Sequence, residues 1–116
     1  MQHLLDYILA ERVLVCTCKE QMEELKSTFR KPKLQKYFNK EQVQDFFEFL
    51  TEYAQLISIQ TETDICRDKK DNYLVSLAID SNAHYMVTGD DDLLILEQIN
   101  TTKIIRFSDF EKVIRS

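Results

Sequence analysis

The chain has 116 residues, of which 44% are hydrophobic and 30% are charged, and its net charge is −5 at pH 7. This length and apolar content are those of one ordinary domain with one core, and they exclude a disordered or low-complexity chain. The acidic balance excludes a surface that is basic throughout, as in proteins that coat nucleic acid, but it leaves room for a local basic patch.

The cysteines and the apolar runs predict a cytoplasmic protein. Cys16, Cys18 and Cys66 form no CxxC pair, which favours reduced and partly buried thiols. No apolar run reaches the ~18 residues that a membrane span needs, so no membrane partner is expected. The segment after Met1 does not resemble a signal peptide.

The first elements are predicted from hydrophobic spacing and capping signals. Residues 2–11 carry apolar side chains at helical spacing, and residues 12–17, RVLVCT, predict a short buried strand. Thr17 and Glu20 have the spacing of a capping box, which predicts a helix from there to about Arg30.

A second capping box, Asn39 with Gln42, predicts the start of the clearest amphipathic helix in the chain. Its apolar positions continue at steps of three and four to Ile57. The residues LISIQT at 56–61 then predict either a strand or a loop.

Helices and strands alternate in the second half of the chain. The expected elements are a helix capped by Asp71 with a core face of Tyr73, Leu74, Leu77 and Ala78, a strand at 84–89, a short helix at 91–97, a strand at 103–107 and a final helix capped by Ser108 and Glu111. The alternation predicts an α/β fold with a largely parallel sheet, helices on both faces and a single domain, residues 1–116.

Acidic residues cluster where such a fold binds ligands. Asp68 and Asp71 surround the start of one helix, while Asp90 and Asp92 follow a strand, and ligands of open α/β sheets bind beyond the carboxyl ends of strands. A single Asp is usually a helix cap or a solvated side chain. That simpler interpretation is kept for Asp45, Asp80 and Asp109. Clustered carboxylates repel one another unless a cation neutralises them, and hard oxygen ligands suit Mg²⁺ or Mn²⁺. Metal-dependent phosphodiester chemistry is therefore a hypothesis.

Three segments in order resemble the PIN-domain family, in particular its bacterial toxin-like branch. They are EELKSTFRKPKLQKYF (23–38), DICRDKKDNYLVSLAIDSNAHYMVTGDDDLL (64–94) and IIRFSDF (104–110). The resemblance implies a three-layer sandwich with a mostly parallel sheet. It also implies a Mg²⁺- or Mn²⁺-dependent ribonuclease, the toxin of a toxin–antitoxin pair, with RNA as substrate and an antitoxin protein as partner.

The resemblance also implies which acids form the site. Glu24, Asp71 and Asp90 match the family's catalytic metal ligands, whose carboxylates hold the ion while water attacks the RNA phosphate. The resemblance further implies that Asp68 and Asp92 are auxiliary acids of the metal site, which either support the ligands or bind a second ion, and that Asn72 and Thr88 are hydrogen-bonding supports.

The sequence departs from the family at its beginning. The family opens with a strand that carries an Asp-Thr-Asn motif, and no such motif occurs here. Two explanations are open: about 20–30 residues, the length of ordinary elements, precede Met1, or the protein is a remnant. A missing central strand would expose backbone edges, which predicts a homodimer.

Two other functions stay open at this stage. One is a catalytically inactive PIN remnant that acts as an oligomerising or protein-binding module. The other is a metal hydrolase of small phosphate esters, which the absence of a DxDxT motif weakens.

A basic segment, RKPKLQKYFNK at 30–40, is the candidate RNA-binding surface. Its aromatic residues, Tyr37 and Phe38, could stack on bases or fill the core beneath a solvated loop. The candidate phosphate-binding residues are Arg30, Lys31, Lys33, Lys36 and Lys69.

Overall fold

The computed structural model of the chain describes residues 2–115, and the side chains of residues 4–115. It divides into two compact units, Met1–Leu56 and Ile57–Ser116. Each unit contains its own small sheet. The expectation of a strand before Met1 lies outside the described residues and stays a prediction.

The N-terminal unit contains four helices and a two-stranded parallel sheet. Its elements are α1 (Gln2–Leu9), β1 (Cys16–Thr17), α2 (Lys19–Phe29), α3 (Pro32–Gln35), α4 (Lys40–Tyr53) and β2 (Gln55–Leu56). In the sheet, Cys16 lies opposite Gln55 and Thr17 lies opposite Leu56. The strand predicted at 12–17 is therefore only two residues long, and α1 ends at Leu9 rather than at residue 11.

The capping box predicted at Thr17 is wrong. Thr17 belongs to β1, and its hydroxyl donates a 2.6 Å hydrogen bond to Oε1 of Gln21. Helix α2 begins at Lys19, and its N-cap is Cys18, whose side chain makes no capping bond. Pairing with β2 keeps Thr17 extended, so the chain turns into the helix one residue later than the local pattern predicts.

The capping box predicted at Asn39 is confirmed. The side chain of Asn39 accepts a 2.7 Å hydrogen bond from the backbone N–H of Gln42, whose side chain accepts a 2.9 Å bond from the backbone N–H of Asn39. Helix α4 ends at Tyr53, and the chain enters β2 at Gln55, before the predicted end at Ile57.

One of the two aromatic residues of the basic segment packs against other aromatic side chains. The ring of Phe29 contacts those of Phe38, Phe46 and Phe47 edge-on, with centroids 5.6–5.9 Å apart. Phe38 is therefore a packing residue, while Tyr37 is 72% exposed. Of the two interpretations of these aromatics, packing applies to Phe38, and Tyr37 stays available for contact with a ligand.

The C-terminal unit is a three-stranded mixed sheet with three α-helices. Its elements are a 3₁₀ turn (Lys69–Asp71), α5 (Asn72–Ser81), β3 (Tyr85–Val87), α6 (Asp91–Leu94), β4 (Gln98–Ile99), β5 (Thr102–Ile105) and α7 (Phe107–Arg115). Strand β5 lies between β3, with which it pairs in parallel, and β4, with which it pairs antiparallel.

The α/β class is confirmed, and several predicted details are corrected. The strands lie in two small sheets, one of them mixed, rather than in one largely parallel sheet. Helix α7 begins at Phe107, so Ser108 lies inside the helix and not before it. Helix α6 ends at Leu94 and not at residue 97, and β5 covers Thr102–Ile105 rather than 103–107.

The core of the C-terminal unit forms where α5, α6 and the sheet meet. It consists of the buried residues Cys66, Val75, Leu93, Ile99 and Ile104. On α5, Leu77 and Ala78 are buried as predicted, but Val75 and Ser76 are buried as well, so the helix is enclosed over a wider arc than one amphipathic face.

The segment predicted as strand or loop at 56–61 is fixed by Asp80 near the end of α5. The Asp80 carboxylate accepts hydrogen bonds from the backbone N–H groups of Gln60 (2.6 Å) and Thr61 (3.0 Å) and from the Thr61 hydroxyl (2.5 Å). These bonds lower the pKa of Asp80 below its ordinary value. The Asp80 carboxylate thus fastens Gln60 and Thr61 to α5, an interaction called the Asp80 clasp below. The interpretation of Asp80 as a helix cap or a solvated acid is wrong.

None of the helices formed by residues 2–115 combines the length and the apolar composition that crossing a bilayer requires.

Candidate functional site

Asp71 stands at the start of α5, but it does not cap the helix. It occupies the N-cap position, and its side chain makes no capping hydrogen bond. The capping bond of this region belongs to Asp68, whose carboxylate accepts a 3.1 Å bond from the backbone N–H of Lys70. The predicted cap is corrected in this respect, because the Asp71 carboxyl is directed elsewhere.

Asp90 follows β3 and is fixed by two short-range hydrogen bonds. Its carboxylate accepts a 2.9 Å bond from the backbone N–H of Asp92 and so caps α6. Its own N–H donates a 3.1 Å bond to the hydroxyl of Thr88, the kind of support expected of that residue. These bonds fix Asp90 in the link between β3, which ends at Val87, and α6.

The carboxyl groups of Asp71 and Asp90 are in hydrogen-bond contact. The bond from Asp71 is the largest of the effects that lower the pKa of Asp90, followed by the backbone N–H of Asp92 and, more weakly, the charge of Arg67. Two ionised carboxylates close enough to share a hydrogen bond repel each other, so a proton or a cation between them is stabilising.

The loop that precedes Asp71 carries a cation into the same region. Arg67 forms a 2.9 Å ion pair with the carboxylate of Asp92. Next to it, Cys66 donates its backbone N–H to Oδ1 of Asn72 at 2.9 Å and its thiol to the backbone carbonyl of Asp92 at 3.7 Å. The loop is therefore tied both to α5 and to α6.

Cys66 stays protonated in this position. Burial raises the pKa of its thiol, and the carboxylates of Asp71, Asp92 and Asp90 add to the rise. A thiol with a raised pKa is a weak nucleophile and a hydrogen-bond donor, so Cys66 holds the loop in place.

The structure brings together part of the predicted ligand set. Asp71 and Asp90 are in contact, Asp92 is paired with Arg67, and Asp68 caps the 3₁₀ turn. Glu24 lies on an exposed position of α2 in the N-terminal unit. Within residues 2–115, no three or more His, Cys, Asp or Glu side chains form a group arranged to hold a metal ion.

The predicted phosphate-binding residues are all exposed: Arg30, Lys31, Lys33 and Lys36 in the N-terminal unit and Lys69 in the C-terminal unit. Sequence reasoning missed Arg67 and the hydrogen-bonding role of Cys66. Both stand in the CRDKKDN motif beside Asp68, but their partner Asp92 is remote in sequence, and no local pattern pairs them.

The Asp71–Asp90 pair fits a divalent cation of the Mg²⁺ type. Its donors are oxygens alone, and a cation between the carboxyls would remove their repulsion. Mg²⁺ commonly takes one or two protein carboxylates and keeps water in its other positions. The residues present are therefore compatible with one such ion, although they supply only two converging carboxyls.

Comparison with known proteins identifies the family. An uncharacterized protein of Methanocaldococcus jannaschii is 30% identical over 98 residues, which cover 84% of this chain and 63% of that protein. The chain thus spans less than two thirds of this relative. No solved structure matches the chain.

A family model described as PIN domain matches residues 1–92. PIN domains are in general nucleases that bind RNA and use divalent metal ions. Because the match covers most of the sequence, the chain belongs to the PIN domain family.

Proposed function

We propose that this chain is a ribonuclease of the PIN type, dependent on Mg²⁺ or Mn²⁺, whose ion is held by Asp71 and Asp90. The observation that supports the proposal is the hydrogen bond between these two carboxyls, at the N-cap positions of α5 and α6, which lowers the pKa of Asp90. Contact between two acids costs free energy unless a proton or a cation compensates it. PIN domains are in general nucleases that use divalent metal ions, so we propose that a cation offsets the repulsion between the two acids, because a cation would also serve the reaction.

Among the other acids, Asp68 and Asp92 receive roles from their contacts, whereas the role of Glu24 rests on the family resemblance alone. Glu24 is the proposed third ligand, supplied by α2. Asp68 acts on the site through its carboxylate, which caps the turn that leads to Asp71. Asp92 acts through its backbone N–H, which donates to the Asp90 carboxylate. Thr88 supports Asp90 from the strand side.

A divalent cation bound here would neutralise phosphate charge and activate water for attack on the phosphodiester bond. The chain's own residues would set the position of the reacting phosphate. Asp90 is oriented by two hydrogen bonds and Asp71 by its place at the helix start, so both carboxyls are fixed before the substrate arrives. Preorganised ligands of this kind avoid a reorganisation cost during the reaction.

The proposal includes a cellular role and an assembly. The chain would be the toxin of a toxin–antitoxin pair, neutralised by an antitoxin protein, with a three-layer PIN arrangement completed in a homodimer. Support for an assembly comes from β1 and β2, which within the described residues pair only with each other. Leu56 of β2 and Leu14, which precedes β1, are each 67% exposed, and exposed apolar side chains at open strand edges favour association.

The test is cleavage of a labelled single-stranded RNA by the purified chain. Cleavage is expected in Mn²⁺, and it should stop in EDTA and in Asp90→Asn. Asp109→Asn, which removes an exposed acid of α7, is the matched control and should cut normally. Metal-independent cutting, or equal cutting by Asp90→Asn, would contradict the proposal.

A second candidate is a catalytically inactive PIN module that binds protein. The exposed Leu14 and Leu56 favour it, because a surface of this kind suits a protein partner. It predicts a stable oligomer in solution, dissociated by Leu56→Lys, together with no cleavage of RNA in any metal. Cleavage by the parent chain would reject it.

A further inference from the structure

Arg67 is a basic side chain in the loop that precedes Asp71, and it forms an ion pair with Asp92 of α6. One nitrogen of its guanidinium lies 2.9 Å from Oδ1 of Asp92, and the side chain is 56% exposed. A guanidinium has five N–H donors in a planar fork. The pair with Asp92 orients the fork, and the exposed remainder of the group keeps donors that face solvent.

The backbone on both sides of Arg67 is fixed. The N–H of Cys66 is bonded to Asn72, and the Cys66 thiol is bonded to the Asp92 carbonyl. On the other side, Asp68 caps Lys70. Arg67 is thus presented from a braced loop rather than from a mobile one, which lowers the entropy cost of using it in binding.

The negative charge of the Asp71–Asp90 pair favours a positively charged side chain nearby when RNA binds. RNA approaches as a polyanion, and Asp71 with Asp90 present acidic groups to it. Arg67 is linked to the pair through Asp92, which forms an ion pair with Arg67 and donates its N–H to the Asp90 carboxylate. Planar guanidinium groups bind phosphate oxygens in a bidentate manner, and charge-assisted bonds of this type are about twice as strong as neutral ones.

We propose that Arg67 binds an RNA phosphate next to the Asp71–Asp90 pair, and that Asp92 orients the guanidinium for this contact. This inference rests on the proposed nuclease function. It gives Asp92 a positioning role in place of the metal-ligand role expected from the sequence. Arg67 is a substrate-binding residue, and it carries no bond-breaking step.

Arg106 offers a matched control within the same unit. It forms a 3.1 Å ion pair with Asp91, and its side chain is 55% exposed, close to the exposure of Arg67. The two arginines differ in their partners, since Arg67 pairs with Asp92, whose N–H bonds the Asp90 carboxylate. Arg67→Ala and Arg106→Ala therefore remove the same charge and the same kind of ion pair, one with Asp92 and one with Asp91.

The experiment measures binding of a fluorescent single-stranded RNA in EDTA, at several KCl concentrations, by fluorescence anisotropy. Each phosphate contact contributes about −0.7 to the slope of log K against log salt for single strands. Arg67→Ala should weaken binding several-fold and make the slope less steep by about that amount. Arg106→Ala should match the parent, and Arg67→Lys should keep the slope while binding more weakly than the parent.

Three results would overturn the inference: Arg67→Ala binding like the parent, Arg106→Ala losing as much as Arg67→Ala, or no RNA binding by the parent chain. Cleavage assayed alongside separates the two proposals. A parent that cuts RNA while Arg67→Ala keeps its KM and its salt slope leaves the nuclease standing without this contact. A parent that binds RNA through Arg67 but cuts none overturns the nuclease alone.

Discussion

The Asp71 carboxyl is hydrogen-bonded to that of Asp90, which joins the start of α5 to the start of α6. Neighbouring residues determine the position of both acids. Asp71 is not used as a cap, since Asp68 performs that task in the preceding turn. Asp90 is held by Thr88 on one side and by Asp92 on the other. The arrangement keeps two acids in contact, and the proposed nuclease function depends on it.

Replacing Thr88 tests how strongly the Asp90 position depends on its support. Thr88→Val removes the acceptor of the Asp90 N–H while keeping the shape of the side chain. Loss of an outer partner typically costs 10–100-fold in metal affinity, and a loss in that range is expected for Mn²⁺. Thr88→Ser keeps the hydroxyl and should retain the parent affinity. Equal Mn²⁺ affinity in Thr88→Val and the parent would show that the hydroxyl does not position Asp90.

The Asp80 clasp predicts a pH-dependent stability. The pKa of Asp80 is lowered in the folded chain, so its contribution is present above its unfolded pKa of about 3.9 and is lost as pH falls through the folded value. Asp80→Asn should therefore be less stable than the parent at pH 7, with the difference shrinking in acid. Urea unfolding at several pH values measures this.

The control for the clasp is Asp45→Asn, which makes the same charge change on an exposed position of α4. It should leave stability nearly unchanged at every pH. If the gap between Asp80→Asn and the parent were as large in acid as at pH 7, the ionised carboxylate would not be the source of the clasp.

The core of the C-terminal unit predicts a sharp contrast between two neighbouring side chains. Leu93 is 1% exposed and Ile95 is 56% exposed. Leu93→Ala should lower the free energy of unfolding by about 2–5 kcal/mol, because it removes buried methyl groups and leaves a cavity. Ile95→Ala should change it by no more than about 0.5 kcal/mol. Similar losses in the two variants, measured by chemical denaturation, would contradict the described core.

Sequence patterns predict the structure correctly where the interaction joins residues that are close together in the chain. The Asn39–Gln42 capping box needs only residues three apart, and it forms as predicted. The Thr17–Glu20 spacing looks equally good in the sequence, but Thr17 pairs with Leu56 in β1–β2. A contact with a remote strand overrides the local preference there.

Contacts between side chains that are far apart in the chain are hard to predict from one sequence. The grouping of Asp71 with Asp90 followed from the rule that strand ends gather ligands. The partnership of Arg67 with Asp92 and the clasp of Asp80 on Thr61 carry no periodic or spacing signal. They depend on how loops lie over helices, which only the folded chain determines.

The most direct test of the account is Mn²⁺ binding to the intact chain, followed by the electron paramagnetic resonance signal of free Mn²⁺. The account predicts that the parent and Asp109→Asn bind the ion, and that Asp71→Asn and Asp90→Asn each lose that binding while remaining folded by circular dichroism. Mn²⁺ binding that survives both substitutions, or a parent chain that binds none, would contradict the claim that these two carboxyls hold the ion together.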